Sequence, residues 1–267
     1  APYLKENQIV VLNPGRTGGT LEFFHALKKQ GLKKLPFIAE TQAFIYTSSM
    51  RGPAHVKIFS IKNSIPLATL PAHWTPLVLK IVNRVFPQFV TGCNIFKTSF
   101  NNIGAVFHPA LTVLNAAWIE ETHGDFEYYI HGASKSVSKV LEEMDKERLQ
   151  VAAALGIRAI SAKNWLYRAY SATGESLYEA MEDNVGYHGI KAPSQLRHPY
   201  IDEDVPMSLV PLASIGEMLK VKTPIIKSII QLASIMREKD FWKKGRTVER
   251  LGIKGMSIKE IRLLAVT

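Results

Sequence analysis

The sequence predicts an α/β region followed by an all-α region, and three observations carry that prediction. Short β-branched apolar runs broken by glycine and proline turns fill residues 1–105, whereas apolar residues at helical spacing fill residues 106–267. Charge divides at the same place: residues 1–105 hold 12 Lys/Arg against 3 Asp/Glu, and residues 106–267 hold 21 against 20. With 267 residues, 46% of them hydrophobic, the chain has material for two domains and a real core, so the expected division is 1–105 and 106–267.

In the first part, Gln8-Ile9-Val10-Val11-Leu12-Asn13 reads as a buried strand, Pro14-Gly15-Arg16-Thr17-Gly18-Gly19 as a turn, and Thr20 to about Gln30 as a helix. Strand, glycine-rich turn and helix let backbone amides approach an anion closely. The turn has neither the Gly-x-Gly-x-x-Gly spacing nor a Gly-Lys-Ser/Thr ending, so a plain turn stands beside the ligand-loop reading. Lys28, Lys29, Lys33 and Lys34 flank the helix end, where cations complement the helix dipole. Phe37–Glu40 and Phe44–Tyr46 read as strands, Met50–Pro53 as a turn, and the alternating His55–Ile61 as a half-exposed strand. Trp74–Phe86 is expected to be helical up to Pro87, and Phe89–Thr98 extended. Several strands with two helices correspond to the second half of a doubly wound domain, and a chain that begins on Ala1 with a strand soon after reads as starting inside one.

The second part is helical throughout. Ser134 or Ser136 can cap a long helix carrying Val137, Val140, Leu141, Met144, Val151 and Leu155, which Gly156 closes. Helices follow over 161–170, 176–184, 211–219, 224–236 and 257–264, with a Gly-, His- and Pro-rich loop over 185–200.

Composition excludes several functions. Lone Cys93 allows no intramolecular disulfide and no cysteine-based zinc cage, so no metal is expected and a cytoplasmic location is. The apolar stretch 225–236 is interrupted by Lys227, Ser228 and Gln231 and is too short to span a bilayer, so no membrane association is expected. The basic first part lacks aromatic interleaving and any nucleic-acid motif, so nucleic acid is not an expected partner.

Two stretches carry chemistry-bearing residues. In Asn101 to Asn115, two amides, a glycine and His108 precede Pro109 and an apolar run, which places Pro109 in a first helical turn and His108 at a helix mouth, where an imidazole can titrate against a ligand or simply pack. In Arg197 to Pro206, three carboxylates precede a proline; they read as helix caps, or as the source of one carboxylate that orients His108 and raises its pKa.

Taken together, Asn13-Pro14-Gly15, Asn102 to Pro109, Leu114-Asn115-Ala116, the 132–156 helix and Asp202-Glu203-Asp204-Val205-Pro206 make the chain resemble the octopine/nopaline (opine) dehydrogenase family from end to end. The resemblance implies the C-terminal part of a Rossmann-like NAD(P)-binding domain over 1–105. Over 106–267 it implies a helical substrate domain of the 6-phosphogluconate-dehydrogenase-like type. It implies reductive condensation of an amino acid with a 2-oxo acid through an imine, using NAD or NADP as cofactor, with a homodimer as the candidate assembly. A 2-oxo-acid or 3-hydroxy-acid reductase acting on a C–O bond, or a non-catalytic truncated chain, are the alternatives. By the same resemblance His108 is the catalytic histidine and Asp204 its carboxylate, Asn102 orients substrate, and Gly15, Arg16, Gly18 and Gly19 approach the cofactor. Family members commonly carry an arginine five residues before that carboxylate, where this chain has Pro199. Arg197 is therefore the expected ligand for a substrate carboxylate.

Overall fold

In the structure, a computed structural model that describes residues 3–32 and 34–266 and leaves out the Arg51 side chain, the first apolar run becomes β1 (Ile9–Leu12). The expectations on Ala1 and Lys33 fall outside the described residues. The turn after β1 leads into α1 (Gly19–Lys29) and then β2 (Phe37–Thr41), which lies parallel to β1 in the register Ile9 to Phe37. An antiparallel hairpin follows, β3 (Tyr46–Gly52) and β4 (His55–Ile61). Here the expected Met50–Pro53 turn is corrected: Met50 and Gly52 belong to β3, and the reversal sits at Pro53 and Ala54, with Ala54 at φ 55°.

Because the hairpin returns the chain reversed, β5 (Ile65–Leu70) pairs antiparallel with β2, and β6 (Phe89–Thr91) pairs parallel with β5. Among the described residues the sheet thus runs β1-β2-β5-β6 and is mixed, not the wholly parallel half of a doubly wound domain. Strand β5 has no counterpart in the sequence reading, since Pro66 in mid-run argues against a central strand. It is tolerated because the Pro66 carbonyl still accepts from Gln42 N–H at 2.9 Å.

Helix α2 (Thr75–Val82) starts with Pro76 in its first turn and packs on the sheet. The extended segment expected over 89–98 ends early. Asn94 accepts from Lys97 N–H at 3.0 Å and caps α3 (Ile95–Phe100).

Helix α4 (Gly104–Leu114) begins earlier than expected, so Pro109 is its sixth residue and not part of a first turn. Pro109 has no N–H to give, and one helical hydrogen bond is missing just after His108. Then come α5 (Ala116–Thr122), α6 (Lys135–Ala154), α7 (Ala162–Tyr170) and α8 (Leu177–Glu182). Ser134, Ser161 and Ser176 cap the last three, and Gly156 follows α6 at φ +71°. The chain continues through α9 (Pro199–Asp202) and a π-helical turn (Val205–Leu209) into α10 (Val210–Met218). It ends with α11 (Pro224–Met236), α12 (Phe241–Lys244), α13 (Val248–Leu251) and α14 (Ile258–Leu264). At four residues each, α12 and α13 are too short to show a period.

The main apolar core runs through α3, α4, α6, α10 and α11 and takes in Leu21, Ala68 and Leu70 from the α/β part. A smaller core of Ala39, Ile45, Ile65, Leu67, Val78 and Phe89 lies against the sheet. Packing is therefore continuous across residue 105. One buried carboxylate fixes the turn between β1 and α1: Glu40 accepts from Thr20 N–H (3.1 Å) and from the hydroxyls of Thr20 (2.7 Å), Thr98 (2.6 Å) and Ser99 (2.8 Å). Burial raises its pKa, and these four donors oppose the shift.

Gly15 lies directly over Glu40, and a Cβ there would fall 2.5 Å from Glu40 Oε2. Gly15→Ala should cost about 1–3 kcal/mol of stability in chemical denaturation, the usual range for overpacking a rigid site. An unchanged denaturation midpoint would mean that the turn is not held by Glu40.

Candidate active site

The peptide after α9 delivers Asp204 into the interior, where it is 1% exposed. Its Oδ2 takes a hydrogen bond from His108 Nδ1 at 2.8 Å across 96 residues of chain, and its Oδ1 pairs with Arg16 Nη1. Glu203, half exposed beside it, takes Arg16 Nη2 at 2.8 Å. With Nδ1 donating to a carboxylate, Nε2 is left as the nitrogen with a free lone pair. Tyr200 of α9 stacks on the imidazole, with ring centroids 4.1 Å apart and planes at 19°. The His108 carbonyl accepts from Tyr128 OH and Thr112 OH, each at 2.8 Å. Ring and backbone of His108 are both fixed.

The expectation that Asp204 raises the imidazole pKa is corrected. Burial comes first, then the positive charges of Arg16, His198 and Lys62, and together they lower His108 from 6.5 to about 3. The Asp204 charge is shared with Arg16 and cannot outweigh them. Burial also lowers Arg16 itself, against the pull of Glu203.

These groups face a cavity of about 890 Å³ between the α/β elements and the helical part. Asn102 lines it as well, 5% exposed, with Nδ2 donating to Ser208 Oγ at 3.3 Å. Arg197 does not: it is exposed and outside the cavity lining, although the next residues, His198 and Pro199, are part of it. The reason is local, since α9 starts at Pro199 with His198 as its cap, and the chain before it runs on the surface.

Of the four residues expected to approach the cofactor, Arg16 alone lines the cavity, beside Asn13 and Pro14 of the same turn. The glycines have their free side filled by the protein's own atoms. A Cβ would lie 2.5 Å from Glu40 at Gly15, 2.5 Å from Leu251 at Gly18 and 3.4 Å from Arg246 at Gly19. Gly18, at φ +76°, also gives its N–H to Ser99 Oγ at 3.0 Å. The smallness of Gly15 and Gly18 serves close packing of the turn against β2 and α13, whereas a Cβ at Gly19 would make ordinary contact.

Sequence reasoning missed Lys62, Trp165, Tyr170, Tyr187 and Tyr200, all in the cavity wall. None belongs to a spaced pattern, and only the tertiary fold assembles them. Among the described residues no group of three His, Cys, Asp or Glu side chains could hold a metal ion, and no helix is long and apolar enough to cross a membrane.

Residues 91–237 match the family model described as NAD/NADP octopine/nopaline dehydrogenase, alpha-helical domain. The chain is 37% identical to the opine dehydrogenase of Arthrobacter sp. (strain 1C) over 262 residues, which cover 98% of this chain and 72% of that protein. It is 29% identical to Protein ocs of Agrobacterium tumefaciens (strain Ach5), over 61% of this chain and 45% of that one. A solved octopine dehydrogenase with NADH and L-arginine shares the fold with a TM-score of 0.73 at 16% identity, covering 98% of this chain and 72% of that one. A yersinopine dehydrogenase with NADP+ bound gives 0.70 at 14% identity, covering 97% and 71%.

The depressed His108 pKa has a definite consequence for stability. The unfolded chain protonates this histidine as pH falls through 6.5 while the folded chain resists, so folding loses free energy between pH 6.5 and about 3. Between pH 7.5 and pH 5 the loss should be about 1–2 kcal/mol, and His108→Asn should show a correspondingly flatter pH profile in urea titrations. An imidazole that titrates at or above 6.5 by NMR would contradict this electrostatic account.

Proposed function

Since the chain belongs to the octopine/nopaline (opine) dehydrogenase family, we propose that its cavity joins the amine of an amino acid to the carbonyl of a 2-oxo acid, with His108 and Asp204 moving and stabilising the protons. Enzymes of this family are NAD(P)-dependent oxidoreductases that act on the CH–NH group of their donors. The observation that carries the assignment of roles is the buried contact of His108 Nδ1 with Asp204 at the cavity wall.

Neutral His108 takes a proton on Nε2 from the substrate ammonium, which frees the nitrogen lone pair to attack the 2-oxo carbon. A C–N bond forms as the C–O π bond breaks, and a proton passes from the attacking nitrogen to the former carbonyl oxygen, giving the carbinolamine. The imidazolium then returns its proton to that hydroxyl, which leaves as water as the nitrogen lone pair forms the C=N bond, giving the protonated imine. General acid and base help of this kind contributes about 10²–10⁴-fold in rate. Asp204 holds the ring and stabilises the imidazolium while it lasts. Free His108 is a weak base first because it is buried and then because Arg16, His198 and Lys62 face it, and the carboxylates of two substrates would offset the second of these causes.

The cavity lies within the range of ligand sites and is larger than one small acid fills, so the residues present fit a dinucleotide end there and not at the closed glycines. Asn13 and Asn102 are the amide side chains on that wall that would hold its carboxamide. When bound, NADH or NADPH supplies the hydride that reduces the imine.

Oxidation of NADH or NADPH should require both a 2-oxo acid and an amino acid, and oxidation with the 2-oxo acid alone would turn the reading toward a C–O reductase. His108→Ala should lower kcat by about 10²–10⁴-fold with dinucleotide affinity nearly intact. Asp204→Asn should lower it less, because the ring keeps a neutral partner but loses the charge. Wild-type turnover in His108→Ala would remove the histidine from the mechanism.

A further inference from the structure

One cation in the cavity has no anion to answer it. Arg16 meets Asp204 and Glu203, Arg148 meets Asp145, and Arg246 meets Glu22, whereas Lys62, only 6% exposed, forms no ion pair with any described carboxylate. Its position is set on both sides. Lys62 N–H donates to the Ile45 carbonyl at 3.0 Å, and the next residue, Asn63, gives its N–H to the Ala169 carbonyl at 3.1 Å, so the end of β4 is pinned to α7. Lys62 Nζ donates to Thr47 Oγ1 at 3.3 Å and lies 5.5 Å from the centre of the Tyr170 ring. The Thr47 and Tyr170 hydroxyls in turn share a hydrogen bond of 2.7 Å.

A hydroxyl and a ring face are weak compensation for a buried ammonium, which ordinarily costs several kcal/mol unless paired. Burial accordingly lowers the Lys62 pKa to about 8. A methionine of similar length would fill this space without that cost, so packing does not explain the charge. The ammonium faces the same cavity as His108 and contributes to the positive field on that imidazole. The other residue expected to hold a carboxylate, Arg197, points away from the cavity, and position 199 offers only a proline ring.

We propose that Lys62 is the anchor for the α-carboxylate of a substrate, delivered to the cavity by the end of the β3-β4 hairpin. This rests on the cavity being the place where an amino acid and a 2-oxo acid meet, and both bear the group that Lys62 would hold. An ammonium paired with a carboxylate in a mostly apolar pocket gives a strong, charge-assisted hydrogen bond, and the ion pair removes the cost of the lone charge. Entry of the anion also relieves His108 of one of the charges that hold its pKa down.

Binding is compared for pyruvate against pyruvamide and for L-phenylalanine against L-phenylalaninamide, by calorimetry on wild type, Lys62→Met and Lys62→Arg. Wild type should prefer at least one carboxylate over its amide by about 10-fold or more at pH 7, Lys62→Met should lose that preference, and Lys62→Arg should keep most of it. Loss confined to the pyruvate pair assigns the anchor to the 2-oxo acid, and loss confined to the phenylalanine pair assigns it to the amino acid. Carboxylate affinity should fall in wild type as pH rises through about 8 and stay flat in Lys62→Met. The thermal midpoint of Lys62→Met should hold or rise, where a lysine kept for structure would lower it. In turnover the variant should raise KM for the anchored substrate more than it lowers kcat. A folded Lys62→Met that keeps both carboxylate preferences, or a wild type that shows none, overturns the proposal. Amine-independent cofactor oxidation would overturn the condensation reading instead, and would leave the carboxylate comparison at Lys62 standing.

Discussion

The contact on which the cavity depends is one carboxylate shared between two partners from distant parts of the chain. Asp204 takes His108 of α4 on one oxygen and Arg16 of the β1-α1 turn on the other, so it joins the helical part to the α/β part at the point where they face each other. Removing one member of such a buried set leaves an uncompensated charge, typically about 3–5 kcal/mol. The support extends outward in steps. Glu40 holds the turn through Thr20 and α3 through Thr98 and Ser99. Arg246 braces the same turn by donating to the Gly15 carbonyl at 3.1 Å and to Glu22 at 2.5 Å. Arg16 is thereby presented with a left-handed backbone, φ 57°, a conformation that side-chain-bearing residues adopt at a cost unless their surroundings enforce it.

The parts of the fold that were legible in the sequence are those governed by local rules. Helix α6, with Ser134 as cap and Gly156 as stop, and α14, with its Ser257–Glu260 capping box, follow from spacing and end chemistry. Strand β1 follows from a β-branched apolar run and β4 from alternation, and β2 was read as a short strand between turns. What was not legible depends on tertiary context. Pro66 masks a central strand because its missing N–H is not needed by its neighbours, and Asn94 starts a helix inside a run that composition alone leaves extended. Pro109 sits in mid-helix since the Gly104 start lies in a stretch with no side-chain cap to mark it.

The site divides in the same way. The pairing of His108 with Asp204 was accessible because a resemblance carried by short motifs named both residues, and the structure places them in contact at the cavity wall. Arg197 was chosen for its chemistry and its nearness to Asp204 in sequence, but chemistry does not determine on which side of a helix cap a side chain emerges. The glycines of the first turn satisfied a composition rule for ligand loops, and their real constraint is the closeness of Glu40, Leu251 and Arg246. Lys62 and the tyrosines around it carry no periodic signal. Tyr128 and Tyr129 come from the segment between α5 and α6, Tyr170 from α7, Tyr187 from the turn after α8 and Tyr200 from α9, and they meet only in the tertiary fold.

The charges of the cavity form an incomplete set. Arg16, Lys62 and the neighbouring His198 face Asp204 and the half-exposed Glu203, and both carboxylates are already engaged by Arg16. With both carboxylates on Arg16, the Lys62 ammonium is left without an ion-pair partner among the described residues, and a lone charge in a low-dielectric pocket is costly to the free protein and favourable to an anion that enters it. Burial first, and then the charges of Arg16, His198 and Lys62, keep His108 neutral. On the proposed reading, a carboxylate that pairs with Lys62 removes one of the positive charges acting on His108, while burial, the first cause of its low pKa, stays in place. The unpaired ammonium that is costly in the free protein is, on that reading, the feature that favours an anion beside His108.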